Sequence, residues 1–290
     1  MTHPVKGVDH VFLMVNDLDE SCEAFERLGF TISPRGMHSA HKGAANHTIM
    51  FPNDYFELLG MIAEVPGNAD RREMLKREGQ GLHAVACRID DAHAAREGLA
   101  AQGIETEEVG SFSRPVPLPD GSEGMASFDT LKFLPHEYPL GTVFMCRHKT
   151  RDMVWVPSLL EHPNGAQGIA GVVAGCDDPD GAAAAFARLF AGGSIRHVDG
   201  GAVVSTGVAD GPASAPIEVL TREALAAAYP EVDFSLTPRG AFAVLRVDTP
   251  DLKPVRAIFD QRGIPFMETA RGLAVGPREA CGSVVEFVGE

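Results

Sequence analysis

Residues 8–30 read VDHVFLMVNDLDESCEAFERLGF, and the order of signals in this stretch decides the architecture. An apolar run of β-formers comes first, then Asn16-Asp17, then Cys22, Phe25 and Leu28 at helical spacing, then Gly29. That is a strand, an acidic helix cap, a helix and a glycine stop. The same order returns in LHAVACRIDDAHAAREGLAAQGI (82–104), IAGVVAGCDDPDGAAAAFARLFAGG (169–193) and FAVLRVDTPDLKPVRAIFDQRGI (242–264). Asp17, Asp90, Asp177 and Asp248 are the expected caps. Each copy is followed by β-forming stretches bounded by Gly, Pro and Asn, as in NHTIMFPNDYFELLG and GSVVEFVG, so the repeated unit is βαβββ. One such unit leaves a sheet face uncovered and must pair with another.

A second period lies above the first. ADRREMLKREGQG, between copies one and two, and TREALAAAYPE, between copies three and four, both read as short helices. The chain is therefore a tandem duplication of two-unit halves. The expected division is an N-terminal domain over 1–150, a linker over 151–166 carrying Pro157 and Pro163-Asn164-Gly165, and a C-terminal domain over 167–290. The class is α+β, built from paired βαβββ modules.

Composition narrows the function. Lys and Arg total 25 against 40 Asp and Glu, a net charge of −15 with no basic run, which disfavours nucleic acid and anionic membranes as partners. Five scattered cysteines without a CxxC pair point to a reducing compartment, and no apolar stretch reaches membrane-spanning length; the expectation is a cytoplasmic protein. No glycine-rich phosphate loop and no serine or cysteine nucleophile motif follows a strand, so a nucleotide cofactor has no support.

Four βαβββ units, opened by VDHVFLMVNDLDES and with DYFELLG closing the first, resemble the vicinal oxygen chelate superfamily, which includes glyoxalases, bleomycin-resistance proteins and dioxygenases. The likeness covers nearly the whole chain, and it implies that the paired modules form two open eight-stranded cups. It implies that metal ligands come from the first and last strands of each unit, which here fall on His10, Glu57 and His83. The fourth position falls on Met145 or Cys146, so the usual last ligand is missing. Strand alternation puts His10 with Phe12 and Met14, His83 with Val85 and Cys87, and Asp9 and Arg88 on the opposite faces. In the C-terminal half the matching positions are Ala170, Glu218 and Ala241, so only the N-terminal half is expected to bind metal.

The resemblance implies one divalent ion (Fe, Zn, Ni or Mn), open coordination positions and a small oxygenated substrate that chelates it through adjacent oxygens. His47 and Glu57 are candidates for moving a proton, and Arg35, His41, Arg147 and His148 for contacting substrate. The His162-Pro163-Asn164-Gly165 turn reads as a structural corner. Segments 31–47 and 108–127, rich in Gly and Pro, are expected to set specificity.

Three functions compete. Isomerase or lyase chemistry through a stabilised enediolate comes first, Fe(II) extradiol-type ring cleavage second, and metal-free sequestration of a small molecule third. Tandem duplication lets one chain complete both cups as a monomer; a homodimer is the other arrangement considered.

Overall fold

The computed structural model describes residues 2–118 and 121–289; Pro119 and Asp120, within the segment expected to set specificity, lie outside them. The first sheet is built from β1 (Val8–Val15), β2 (Gly36–Met37), β3 (Ala44–Met50), β4 (Tyr55–Met61), β5 (Gly81–Arg88), β6 (Gly110–Pro117), β7 (Glu123–Lys132) and β8 (Thr142–His148). The second uses β9 (Gly168–Cys176), β10 (Ser194–Val198), β11 (Gly201–Ser205), β12 (Ile217–Thr221), β13 (Val244–Asp248), β14 (Met267–Glu268), β15 (Gly272–Val275) and β16 (Val284–Val288). Their strand orders, β2-β3-β4-β1-β5-β8-β7-β6 and β10-β11-β12-β9-β13-β16-β15-β14, are the same pattern twice. Within each, the first strands of two βαβββ units pair antiparallel at the centre, and each unit's last strand lies parallel beside its first.

The repeated helices are α1 (Leu18–Arg27), α3 (Ala92–Ala100), α4 (Pro179–Arg188) and α6 (Lys253–Arg262), and the extra pair are α2 (Ala69–Glu78) and α5 (Arg222–Ala228). Asp17 caps α1 as expected. The caps of α3 and α4 are Asp91 and Asp178, each one residue beyond the expected Asp90 and Asp177. Asp248 instead ends β13, and α6 starts at Lys253-Pro254, with Asp251 accepting from the Lys253 N–H. Proline in the first turn supplies the helix geometry that the distant aspartate cannot.

Strand alternation sends Val11, Leu13, Val15, Phe56 and Leu58 toward the helices, while Phe12, Met14 and Leu59 line the concave face. The helix-bearing faces of the two sheets merge into a single core, where Phe30 of the first half stacks on Phe287 of the second at 5.6 Å. Residues 151–166 hold two short 3-10 turns. His162 accepts from the Thr31 N–H and donates to the Met50 carbonyl, Asn164 donates to the Leu28 carbonyl, and Trp155 donates to the Phe51 carbonyl. The connecting segment is thus bound along its length to the N-terminal half. Among the described residues, no helix is long and apolar enough to cross a membrane.

Candidate metal and substrate site

Two bulges set the chemistry of the first cup. The β1–β5 register steps from Val8↔Cys87 to His10↔Ala86, leaving Asp9 as an extra residue, and from Phe12↔Ala84 to Leu13↔Leu82, leaving His83 extra. A bulged residue escapes strict alternation. Asp9 is therefore not on the far face from His10 as alternation requires: its Oδ1 accepts from His10 Nδ1 at 2.8 Å and from His148 Nε2 at 2.9 Å. Asp9, His10 and His148 bring one carboxylate and two imidazoles within 4.8 Å of one another, a group able to hold a metal ion. Burial opposes ionisation of Asp9, but the neighbouring His148 and His10 prevail and hold its carboxyl below the ordinary range. His10 is stacked on Tyr55 at 4.3 Å, and Trp155 and Phe128 stand edge-on to His148 at 4.9 and 5.0 Å.

The structure sorts the residues singled out in the sequence. His10 and Glu57 share the concave face, since Glu57 is opposite Phe12 and Tyr55 opposite His10. His83 stands apart from them: it donates from Nε2 to the Gly79 carbonyl at the end of α2 at 2.7 Å, its Nδ1 lies 3.6 Å from Glu78, and it joins neither of the ligand groups found among the described residues. The symmetry of the sheet explains this. With one extra residue in each central strand, Asp9 corresponds to His83 and His10 to Ala84, while Glu57 corresponds to Phe144. Of the two readings of the fourth position, Met145 belongs to the helix-side core and Cys146 to the concave-face cluster.

The pocket-facing placement expected for His47 is corrected. His47 pairs with Leu58, which faces the helices, and it donates to the Ser33 carbonyl at 2.7 Å; the even-numbered Asn46 and Thr48 take the concave side. Arg147 likewise turns out of the cup to Asp91 at 3.0 Å, whereas His148, next along β8, turns in. Arg35 pairs with Asp19 of α1, and His41 sits exposed in the loop before β3.

Beyond Glu57 the cup has a cationic end that sequence reasoning passed over. The Glu57 side chain is 9% exposed and has no hydrogen bond or ion pair among the described residues. It feels the charges of Lys42 and Arg71, and His38 lies within reach of Glu57, Lys42, Arg71 and Arg114. Burial lowers the affinity of His38 for its proton to a pKa of about 4, so at neutral pH it is an uncharged polar group. Arg71 shares a stripe of α2 with Met74 and Leu75, which pack on Phe12, Met14 and Leu59 and lay the helix over the cup. An arginine on the one apolar stripe of an otherwise polar helix was the signal available beforehand.

The second cup is closed by its own side chains. Gly171, not Ala170, takes the place of His10, because the matching bulge in β9 falls at Ala170. Glu218 matches Glu57, and Glu286 stands where the first cup has Phe144. Between them lies Arg246, 7% exposed, paired with Glu218 and, at 2.7 Å, with Glu286; Tyr229 donates to Glu286 at 2.7 Å. Its interior charges are already mutually satisfied.

A family profile described as a glyoxalase-like domain matches residues 8–190. No curated protein sequence matches the chain. Among solved structures, a hypothetical protein from Staphylococcus aureus aligns with a TM-score of 0.66 at 12% identity, over 98% of this chain and 99% of that one. A mutant of 4-hydroxymandelate synthase from Streptomyces coelicolor aligns at 0.57 with 13% identity, over 99% and 93%. A variant of homoprotocatechuate 2,3-dioxygenase from B. fuscum aligns at 0.57 with 14% identity, over 100% and 72%. These likenesses establish the fold.

Proposed function

We propose that this chain, which belongs to the glyoxalase-like domain family within the vicinal oxygen chelate superfamily, is a divalent-metal-dependent enzyme acting on a small oxygenated substrate in its N-terminal cup. The observation that carries this is the convergence of Asp9, His10 and His148 on the concave face. Two nitrogens, each 2.8–2.9 Å from one carboxylate oxygen, suit neighbouring positions around a small divalent cation. When bound, such an ion supplies Lewis-acid stabilisation of negative charge developing on substrate oxygen.

The chain's own groups do the rest. Glu57, held by β4 without a protein partner, takes a proton from the substrate at its carboxylate and returns it, the exchange that isomerase and lyase chemistry requires. Tyr55 fixes the plane of the His10 ring by stacking. Phe12 and Phe144, 6.1 Å apart, keep the floor of the cup apolar and exclude water from around the reacting atoms. Ring-cleaving dioxygenation is the second reading, favoured by the same two-histidine, one-carboxylate set, which also serves non-haem iron.

Metal content, measured after anaerobic purification without chelators, tests the assignment. About one ion per chain is expected in the native protein and in His83→Ala, with loss in His148→Ala. Loss in His83→Ala with retention in His148→Ala would restore the triad read from sequence. No ion in any of them would end the metal-dependent reading. Iron together with oxygen uptake would select the dioxygenase; zinc, nickel or manganese would select the isomerase or lyase.

A further inference from the structure

We propose that the N-terminal cup selects organic acids, taking the carboxylate of its substrate between Arg71 of α2 and Arg114 of β6, with Lys42 and Asn46 completing the seat. This deepens the proposed function and rests on it for the identity of the bound molecule as substrate. Three cationic side chains gather at this end, Lys42 and Arg71 within reach of the charge of Glu57 and Arg114 beside Asn46 and His38, in a protein whose net charge is −15. Neither Arg71 nor Arg114 makes a hydrogen bond or ion pair with any described residue, although many other arginines of the chain do. A half-buried guanidinium left without an acceptor is matched by a planar carboxylate, which receives two parallel N–H bonds.

Independent observations point to the same place. Asn46 is 3% exposed and its side chain makes no hydrogen bond with any described residue, so its amide, turned with the N–H2 toward the seat, donates to a bound carboxylate; the buried Nδ1 of His38, close to the charges of Glu57 and Arg114, has no partner either. Buried polar atoms without partners mark where a bound group completes the hydrogen bonding. Gly36 makes room for the convergence: a Cβ there would collide with Arg114 Nη1 and Asn46 Oδ1. Lys42, 4.1 Å above the Phe112 ring, is held at the rim by a cation–π contact that leaves its N–H groups free to donate. Phosphate, with its higher charge and tetrahedral shape, fits less well beside Glu57 than a carboxylate attached to an apolar body that can lie on Phe12.

The test is binding, not turnover. Isothermal titration of the full chain with benzoate, pyruvate and inorganic phosphate is expected to show saturable binding of a carboxylate at millimolar concentration, weakened at least tenfold in Arg71→Gln and in Arg114→Gln. Glu57→Gln is expected to bind the same carboxylate more tightly, because it removes the negative charge of Glu57 from beside the seat. Urea unfolding of both arginine variants should nearly match the native chain, since neither guanidinium has a hydrogen-bond or ion-pair partner to lose and Arg114 gives up only its 6.0 Å approach to the Phe128 ring. The proposal is overturned if neither carboxylate binds, if phosphate binds more tightly than both, or if the arginine variants bind as the native chain does. The proposed function fails separately: carboxylate binding that follows the arginines in a chain holding no metal leaves this inference standing, while a metal-loaded chain indifferent to all three probes removes it alone.

Discussion

Replacing Asp54 with asparagine should make the protein more stable above neutral pH and remove much of its pH dependence. Asp54 is 6% exposed and accepts the Ile169 N–H at 3.0 Å, tying the turn before β4 to the first strand of the other half. Burial raises its pKa from 3.8 to about 7, with Asp9 and Asp248 adding to the rise, while the Ile169 bond and Arg88 oppose it. An acid whose folded value is raised keeps a proton that the unfolded chain has released. Its contribution is therefore most favourable below about pH 4, falls by ~1.4 kcal/mol for each pH unit up to 7, and is constant above. Over that whole window the loss is about 4 kcal/mol, and about 3 kcal/mol of it falls between pH 5 and pH 8. Asparagine keeps an acceptor for Ile169 and carries N–H where the protonated acid carries O–H. Urea unfolding of both proteins should give a gap in favour of Asp54→Asn of about 1–2 kcal/mol at pH 5 that widens by about 3 kcal/mol, to about 4 kcal/mol, at pH 8. An unchanged pH slope in the variant, or a variant less stable at pH 8, would refute the reasoning.

Arg246→Met should cost about 3–5 kcal/mol, because it removes the buried cation between Glu218 and Glu286, leaving Glu286 only the hydroxyls of Tyr229 and Thr269 and Glu218 only Arg271 at 3.7 Å. The triple change with Glu218→Gln and Glu286→Gln should recover most of that in the same unfolding assay. Gly36→Val pushes a branched side chain into Arg114 and Asn46, so it should abolish carboxylate binding in the titration while costing only about 1–3 kcal/mol of stability.

Much of this was legible from local chemistry. The fourfold order of strand, cap, helix and glycine carries the fold because each signal acts over a few residues. The short helices between copies appear as α2 and α5. The site was less legible, for reasons of phase. His10 and Glu57 lie on the concave face because alternation holds at both, and His148 was picked out for substrate contact but turns in beside Asp9. Aligning VDH with GLH makes His83 the counterpart of His10, yet a bulge in each central strand shifts the match to Ala84. Bulges leave no clear mark in sequence, and one extra residue reverses every assignment of face beyond it. His47 illustrates the opposite error, since plain alternation from Glu57 through its register partner Thr48 places it on the helix side. The cationic end depends on α2 folding back over the cup, a long-range placement that no local pattern encodes.

The segment joining the halves has a consequence for modularity. Trp155 stands against both Tyr55 and His148, and Arg151 lies 3.4 Å over its ring, so a stretch that belongs to neither repeat supplies a wall of the first cup. Cutting the gene at the end of β8 would therefore not yield a working half. Although the chain arose by copying, its halves are no longer interchangeable parts: the spacer has become an organ of one of them, and any circular permutation or domain swap must carry it along with the N-terminal sheet.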